Sequence, residues 1–316
     1  MNTLIIRPMV EADLADADRI NRIAFGTFFE LDDPKEFRGD GDAVHGRFEA
    51  NPTGSFVAEL DGCLVACGFI MDWCGVGILG PLTVDVDYWG QGIARKMMDR
   101  MVEFMDQQNF SMQGLFTHPQ SPKHIRLYEE YGFRMQHITA VMDKSVCAST
   151  ASQKESVVCF SGLNKTEQSH ALIESRSLTS EIYRTLDVTS EVSAIQRRAL
   201  GDTVLVYSVD GLEGFACCHQ GAMSEAGSQQ TAIKFAAVRP GSSIKERFVQ
   251  LLIAVEQFAI ARGTTRIVAG TNTGRSECYE TMRAHGYRTW MNGIAMLRPE
   301  GSGYNLPEVF IVDDWR

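Results

Sequence analysis

Pro81-Leu82-Thr83-Val84-Asp85-Val86-Asp87-Tyr88-Trp89-Gly90-Gln91-Gly92-Ile93-Ala94-Arg95-Lys96-Met97-Met98 joins an apolar, β-prone run to an amphipathic helix through a turn with two glycines. The run from Ile78 to Val86 reads as a strand. Ile93, Met97, Met101 and Met105 recur at i, i+4, i+8 and i+12, which is one face of a helix. Strand, glycine turn and helix start together leave several backbone N–H groups unpaired at one point, with the positive end of the helix dipole behind them. Such a place suits phosphate, and glycine lets the backbone approach it because no Cβ intervenes. An ordinary βα turn also uses glycine, so the stretch needs support from elsewhere in the chain.

A chain of 316 residues exceeds what one core normally serves, and two domains are expected. With 44% hydrophobic and 22% charged residues it has the composition of a soluble globular protein. The start of the chain lacks a basic region followed by a long apolar run, so no secretory signal is expected, and no uninterrupted apolar stretch is long enough to predict a membrane span. A cytoplasmic location follows as the expectation. The eight cysteines form no paired CxxC framework and read as reduced thiols, with no metal site. A net charge of −10 speaks against nucleic-acid binding. Residues 1–146 carry 13 basic and 22 acidic side chains, against 17 and 18 in the remainder. The negative field therefore belongs to the first half, either as a solvated surface or as a funnel for a cationic substrate.

In chain order, Leu4-Ile5-Ile6 reads as a strand and Glu11 to Phe25 as a helix. An acidic segment from Glu30 to Asp42 and a helix from Ala43 to Ala50 follow. Ser55 to Leu60, Asp61-Gly62 and Cys63 to Met71 predict a hairpin, since Asp-Gly suits a type I′ turn. After the glycine turn and its helix, Met112 to Thr117 is a strand ending at His118-Pro119. Ser121-Pro122 then starts a helix, serine as N-cap and proline at the first helical position, which stops at Gly132. Phe133 to Met142 returns as a strand.

Trp89-Gly90-Gln91-Gly92-Ile93-Ala94 resembles the acyl-CoA pyrophosphate loop of the GNAT superfamily of N-acetyltransferases, usually Arg/Gln-x-x-Gly-x-Gly/Ala. Ser121 to Phe133 resembles the superfamily's second motif, with Leu127, Tyr128, Gly132 and Phe133 matching its Leu-Tyr-x-x-x-Gly-Phe part. The resemblance covers about residues 3–144. Trp89, Ser121 and His124 depart from it, standing where Arg or Gln, Asn and a small residue are usual.

The resemblance implies an α/β (α+β) fold with a mixed, mostly antiparallel twisted sheet flanked by helices. Main-chain groups near Leu82, Thr83 and Val84 would bind the pantetheine of acetyl-CoA. Gly90, Gln91, Gly92, Ile93, Ala94 and Arg95 would hold its pyrophosphate, with Trp89, Ser121 and His124 lining the cofactor site. Tyr128 is the expected general acid towards the CoA sulfur, since a phenol of pKa about 10 is protonated at neutral pH. For the base, His118, Asp85, the Glu30–Asp42 segment and a water chain all stay open.

The second half repeats the layout of the first: Val157 to Phe160, a helix from Thr166 to Tyr183, a hairpin through Asp210-Gly211, Ile233 to Val238, and a helix marked by Ile244, Phe248, Leu251, Val255 and Phe258. Arg266 to Ala269, a helix over Ser276 to His285, and strands at Trp290 to Leu297 and Glu308 to Val312 complete it. Its loop, Val238-Arg239-Pro240-Gly241-Ser242-Ser243-Ile244, lacks paired glycines, and Met282 stands opposite Tyr128. The expectation is a GNAT-like domain at 1–145 with an intact loop, a linker at 146–155, and a degenerate GNAT-like copy at 156–316. The function expected is acyl transfer, mainly of acetyl, to a primary amine on a small molecule or peptide, a cationic one if the acidic field steers it. A non-catalytic acyl-CoA sensor with a C-terminal interaction domain is the alternative. Neither nucleic acid nor membrane is an expected partner, and a homodimer stays open.

Overall fold

Asp61 and Gly62 both adopt positive φ, 51° and 83°, and this two-residue turn joins β2 (Ser55–Leu60) to β3 (Cys63–Asp72) as the Asp-Gly pair predicts. The computed structural model describes residues 4–147 and 157–316; most of the expected linker lies outside them. Around the hairpin, the first half comprises β1 (Leu4–Pro8), α1 (Leu14–Phe28), α2 (Val44–Ala50), β4 (Val76–Val84), α3 (Ile93–Gln107), β5 (Met112–Thr117), α4 (Pro122–Glu130) and β6 (Arg134–Ser145). The second half comprises β7 (Val158–Cys159), α5 (Lys165–Ile182), α6 (Thr189–Arg198), β8 (Gly201–Ser208), β9 (Gly211–Gly221), β10 (Gly227–Val238), α7 (Ile244–Ala261), β11 (Arg266–Asn272), α8 (Ser276–Ala284), β12 (Arg288–Arg298) and β13 (Ile311–Asp313).

The period-2 strands of the first half bury both faces. Val57, Cys67 and Phe69 meet Leu14 and Ala17 of α1 and Val44 and Phe48 of α2. On the opposite face Phe56, Ala58, Ala66, Ile70 and Leu115 meet the methionine face of α3 (Met97, Met101, Met105) and the apolar side of α4. The core thus sits in two layers, with β4 and β5 between them.

The halves do not own separate sheets. All strands among the described residues join one mixed, mainly antiparallel sheet in the order β1-β2-β3-β4-β5-β12-β6-β11-β10-β9-β8-β7, with β13 paired to β10. β12 of the second half pairs with β5, Ile294 opposite Thr117 through Arg298 opposite Gln113. β6 of the first half pairs with β11 and β12. The halves have exchanged strands.

Two parallel pairs break the antiparallel pattern, and both open into a splay. β4 and β5 pair only over Val76–Leu79 and Met112–Leu115. Gly80 (φ 141°) and Pro81 follow, and Pro81 has no N–H to continue the ladder. In the second half, β10 and β11 pair over Thr231–Ile233 and Ile267–Ala269. There the gap is closed: Phe235, Ala236 and Ala237 pair with Asp313, Val312 and Ile311 of β13.

Candidate acyl-CoA site

The open splay is the place where a linear ligand can join the sheet. The Asp85 N–H donates to the Val65 carbonyl at 2.9 Å, which sets the alternation along β4. The main-chain groups of Thr83 therefore face β3, while those of Leu82 and Val84 face the gap. The Thr83 side chain is buried, with its hydroxyl 3.1 Å from Cys67 Sγ. Of the three residues expected along the pantetheine, Leu82 and Val84 offer their backbone and Thr83 packs the strand from behind.

Beyond β4, Gly90 and Gly92 take φ of 79° and 78°, and Gly92 is the N-cap of α3. A Cβ at either would meet nothing within 4 Å, so it is the left-handed backbone that requires glycine, and the space outside is open. Among the described residues, no backbone N–H from Gly90 to Arg95 has a protein partner; the helix ladder begins with Lys96 N–H to Gly92 O at 3.3 Å. Consecutive unpaired donors at a helix start, with about half a positive charge from the dipole, make a turn suited to phosphate oxygens. Gln91 and Ile93 sit within this turn, and Ala94 follows in the first turn of α3. The Arg95 guanidinium is bound to Glu130, and Tyr131 Oη donates to the Arg95 carbonyl at 2.8 Å, which ties α4 to α3. Trp89 is exposed, and its Nε1–H donates to the Val84 carbonyl at 2.7 Å, so the indole lies at the mouth of the gap.

α4 supplies Tyr128, which packs in the same apolar cluster as Leu79, Leu82, Val84 and Phe133. Burial pushes its phenol up to about 12, which keeps it protonated at physiological pH. Ser121 takes the N-cap position and is buried, yet its hydroxyl makes no capping bond; only its carbonyl accepts, from His124 and Ile125.

His118 ends β5 inside an aromatic box. Its ring lies 5.3 Å from Phe28, 5.1 Å from Phe29 and 5.4 Å from Phe116, and its buried Nδ1 has no partner. Burial lowers it to about 4, with smaller contributions from His124 and Arg316, so the imidazole is neutral at pH 7. His124 lies 5.7 Å from Phe28 and is also lowered, first by burial and then by Lys123. Asp85 is held by Arg19 at 3.1 Å.

Sequence reasoning missed a group of cations on the α1–α2 side of the gap. Arg47 donates to the carbonyl of Gly80 at the apex (3.0 Å) and pairs with Glu225 at 2.6 Å. Arg316 binds Asp314 through two hydrogen bonds, 2.8 and 2.6 Å. Lys234 pairs with Glu225 at 2.8 Å, and Arg38 lies beside them. These residues are far apart in sequence, and no spacing pattern announces them.

The second half carries none of the cofactor features. Its loop is stapled by side chains: Arg239 bonds Glu181 and the Leu212 carbonyl, and Arg247 donates to the carbonyls of Arg239 and Pro240. Met282, opposite Tyr128, is fully buried.

The Acetyltransferase (GNAT) family model matches residues 17–133, most of the first half. The fold of the whole chain is shared with an assigned acetyltransferase from Pyrococcus horikoshii, at TM-score 0.70 and 15% identity over 99% of this chain and 95% of that one. It is also shared with a GCN5-related N-acetyltransferase from Sphaerobacter thermophilus, at TM-score 0.57 and 14% identity over 93% and 95% of the two chains. A tandem GNAT protein from the clavulanic acid biosynthesis pathway superimposes with TM-score 0.58 and 11% identity over 95% of this chain and all of its own. No curated protein matches this sequence. Among the described residues no cluster of His, Cys, Asp or Glu could hold a metal ion, and no helix is long and apolar enough to cross a membrane.

Proposed function

We propose that this protein transfers an acyl group, acetyl in the first instance, from acyl-CoA to a primary amine in its first half, and that the second half is catalytically silent. The observation that carries this reading is the contrast between the two gaps. The first opens beside unpaired amides at Gly90 to Arg95, whereas the second is filled by β13.

The residues divide the work as follows. Leu82 and Val84 hold the pantetheine arm as an added strand, and the Gly90–Arg95 amides hold the diphosphate. Fixing thioester and amine together supplies an effective molarity of about 10⁵ M or more. The neutral amine attacks the thioester carbonyl carbon, a C–N bond forms, and the C–S bond breaks. Tyr128 gives its proton to the departing sulfur, and the proton released by the amine passes to water. His118 is neutral but binds protons weakly, so it does not store the proton.

Calorimetry with acetyl-CoA, then thiol release over a panel of amines, tests this. Tyr128→Phe should bind acetyl-CoA normally and turn over roughly 10²-fold more slowly; unchanged turnover would remove Tyr128 from the mechanism. One contact favours a second reading, a non-catalytic acyl-CoA sensor: the Trp89 indole already occupies the Val84 carbonyl. Tight acetyl-CoA binding with no thiol release on any amine would select the sensor.

A further inference from the structure

The acidic segment after α1 presents most of its carboxylates outward; Asp42, at its end, is buried against His45. Glu30, Asp32, Asp33, Glu36 and Asp40 are exposed, and Arg22 fastens the segment from within by donating to the carbonyls of Phe37, Gly39 and Gly41 at 2.6–2.8 Å. The segment docks on the β9–β10 turn through Met223 N–H to Asp40 O and Asp42 N–H to Ser224 O. What it turns inward is Arg38.

Arg38 is unusual in three independent respects. Its φ is +68°, a left-handed conformation that is unfavourable for a non-glycine residue. Its Nε is shut off from solvent without a partner. It is also the one member of the group Arg38, Arg47, Lys234 and Arg316 with no carboxylate within 4.0 Å among the described residues; its only side-chain hydrogen bond goes to the Glu225 carbonyl at 3.2 Å. Burial lowers its proton affinity, and Arg316 and Arg47 lower it further against Glu225 and Asp314. A strained, half-buried guanidinium without a carboxylate partner is suited to an anion that arrives from outside.

Its neighbours link it to the end of β5 through a row of aromatic rings. The guanidinium lies 5.4 Å from the Phe37 ring, Phe37 stacks on Phe29 at 5.8 Å, and Phe29 packs on His118 at 5.1 Å. Arg47, in the same cluster, touches the Gly80 carbonyl at the apex of the gap. An apolar wall of Phe28, Phe29 and Phe37 therefore runs between the end of β5 and a cation in need of a counter-charge.

We infer that the acceptor is an amine that also carries a carboxylate, and that Arg38 receives this carboxylate while Phe28, Phe29 and Phe37 flank the body of the molecule. This rests on the acyltransferase reading of the first half and differs from a purely cationic acceptor in requiring a carboxylate.

The test uses the full chain and amines matched except for the carboxylate: L-phenylalanine against 2-phenylethylamine, and L-lysine against cadaverine. Each is titrated calorimetrically into CoA-saturated protein and assayed for thiol release from acetyl-CoA. The carboxylated member of at least one pair should bind about tenfold or more tightly than its partner, as expected for a charge-assisted contact. Arg38→Met should abolish that preference, mainly through KM, with acetyl-CoA affinity unchanged, and Arg38→Lys should restore part of it. If Arg38 only fastened the segment, Arg38→Met would weaken both members alike, which overturns the inference. So would equal or tighter binding of the decarboxylated amines, or no binding of either carboxylated amine. Loss of thiol release with the carboxylate preference intact would count against the acyltransferase reading instead.

Discussion

His118 shows how much a single environment alters a side chain. As a free imidazole it would titrate near 6.5, but the phenylalanines around it and the nearby charges of His124 and Arg316 hold it at about 4. Between these values the unfolded chain binds more protons than the folded one, so folding stability falls as pH drops from about 6.5 to about 4. Above 6.5 the group contributes nothing to the pH dependence. Replacing His118 by phenylalanine, which suits the aromatic box, should make the loss of stability between pH 7 and pH 5 smaller by on the order of 1 kcal/mol, read as the shift in urea midpoint at each pH. An identical acid-side loss in wild type and variant would show that the ring is solvated. The same residue shows where sequence reading ends. His118 was legible as the residue that closes a strand, but its low proton affinity comes from Phe28 and Phe29, about ninety residues upstream, and no local pattern carries that.

Elements were more legible than their partners. The glycine turn, the α3 methionine face, the Asp61-Gly62 hairpin and the Pro122 helix start follow from local chemistry, and they lie where periodicity and turn residues put them. α6 escaped notice because only Val192, Ala194 and Ile195 mark its buried apolar face amid polar residues, too short a pattern to stand out. The run before Val312 was readable as a strand, yet nothing in Phe310-Ile311-Val312 says that it fills the β10–β11 gap. That placement is fixed by Asp313: Arg275 donates to it at 2.5 Å and Tyr304 at 2.9 Å, with all three fully or nearly fully buried. Asp313→Asn keeps the shape but leaves the Arg275 charge unpaired, a change that costs about 3–5 kcal/mol in buried pairs. The variant should show that loss in denaturant unfolding while its acetyl-CoA affinity stays at the wild-type value, because the cradle at Gly90 to Arg95 is in the other half. Weakened acetyl-CoA binding in the folded variant would mean that the second gap contributes to the cofactor site.

For the molecule as a whole, the exchange of β6 and β12 decides what can fold alone. Two tandem copies suggest that residues 1–155 form an autonomous enzyme, and the loop, Tyr128 and the open gap all lie within them. The sheet contradicts that autonomy. Without the second half, β5 loses β12 and exposes its edge from Gln113 to Thr117, and β6 loses both of its neighbours over twelve residues. Such unpaired edges seed aggregation, and the lost ladder removes burial from Ala140 and Met142. The acceptor side suffers as well, because Glu225 and Arg316, which hold Arg47 beside Gly80, come from the second half. Residues 1–155 expressed alone should therefore be aggregated or lack a cooperative thermal transition, whereas co-expression with residues 156–316 should give a soluble complex that binds acetyl-CoA. The full chain should unfold in a single transition, with calorimetric and van't Hoff enthalpies in agreement. A soluble, cooperatively folded 1–155 fragment that binds acetyl-CoA would show that the exchanged strands decorate two independent domains. If the prediction holds, the second half is retained as the other part of the same sheet, and its silent loop and plugged gap are compatible with that role, since neither is needed to pair β5 or to seat the cations beside Gly80.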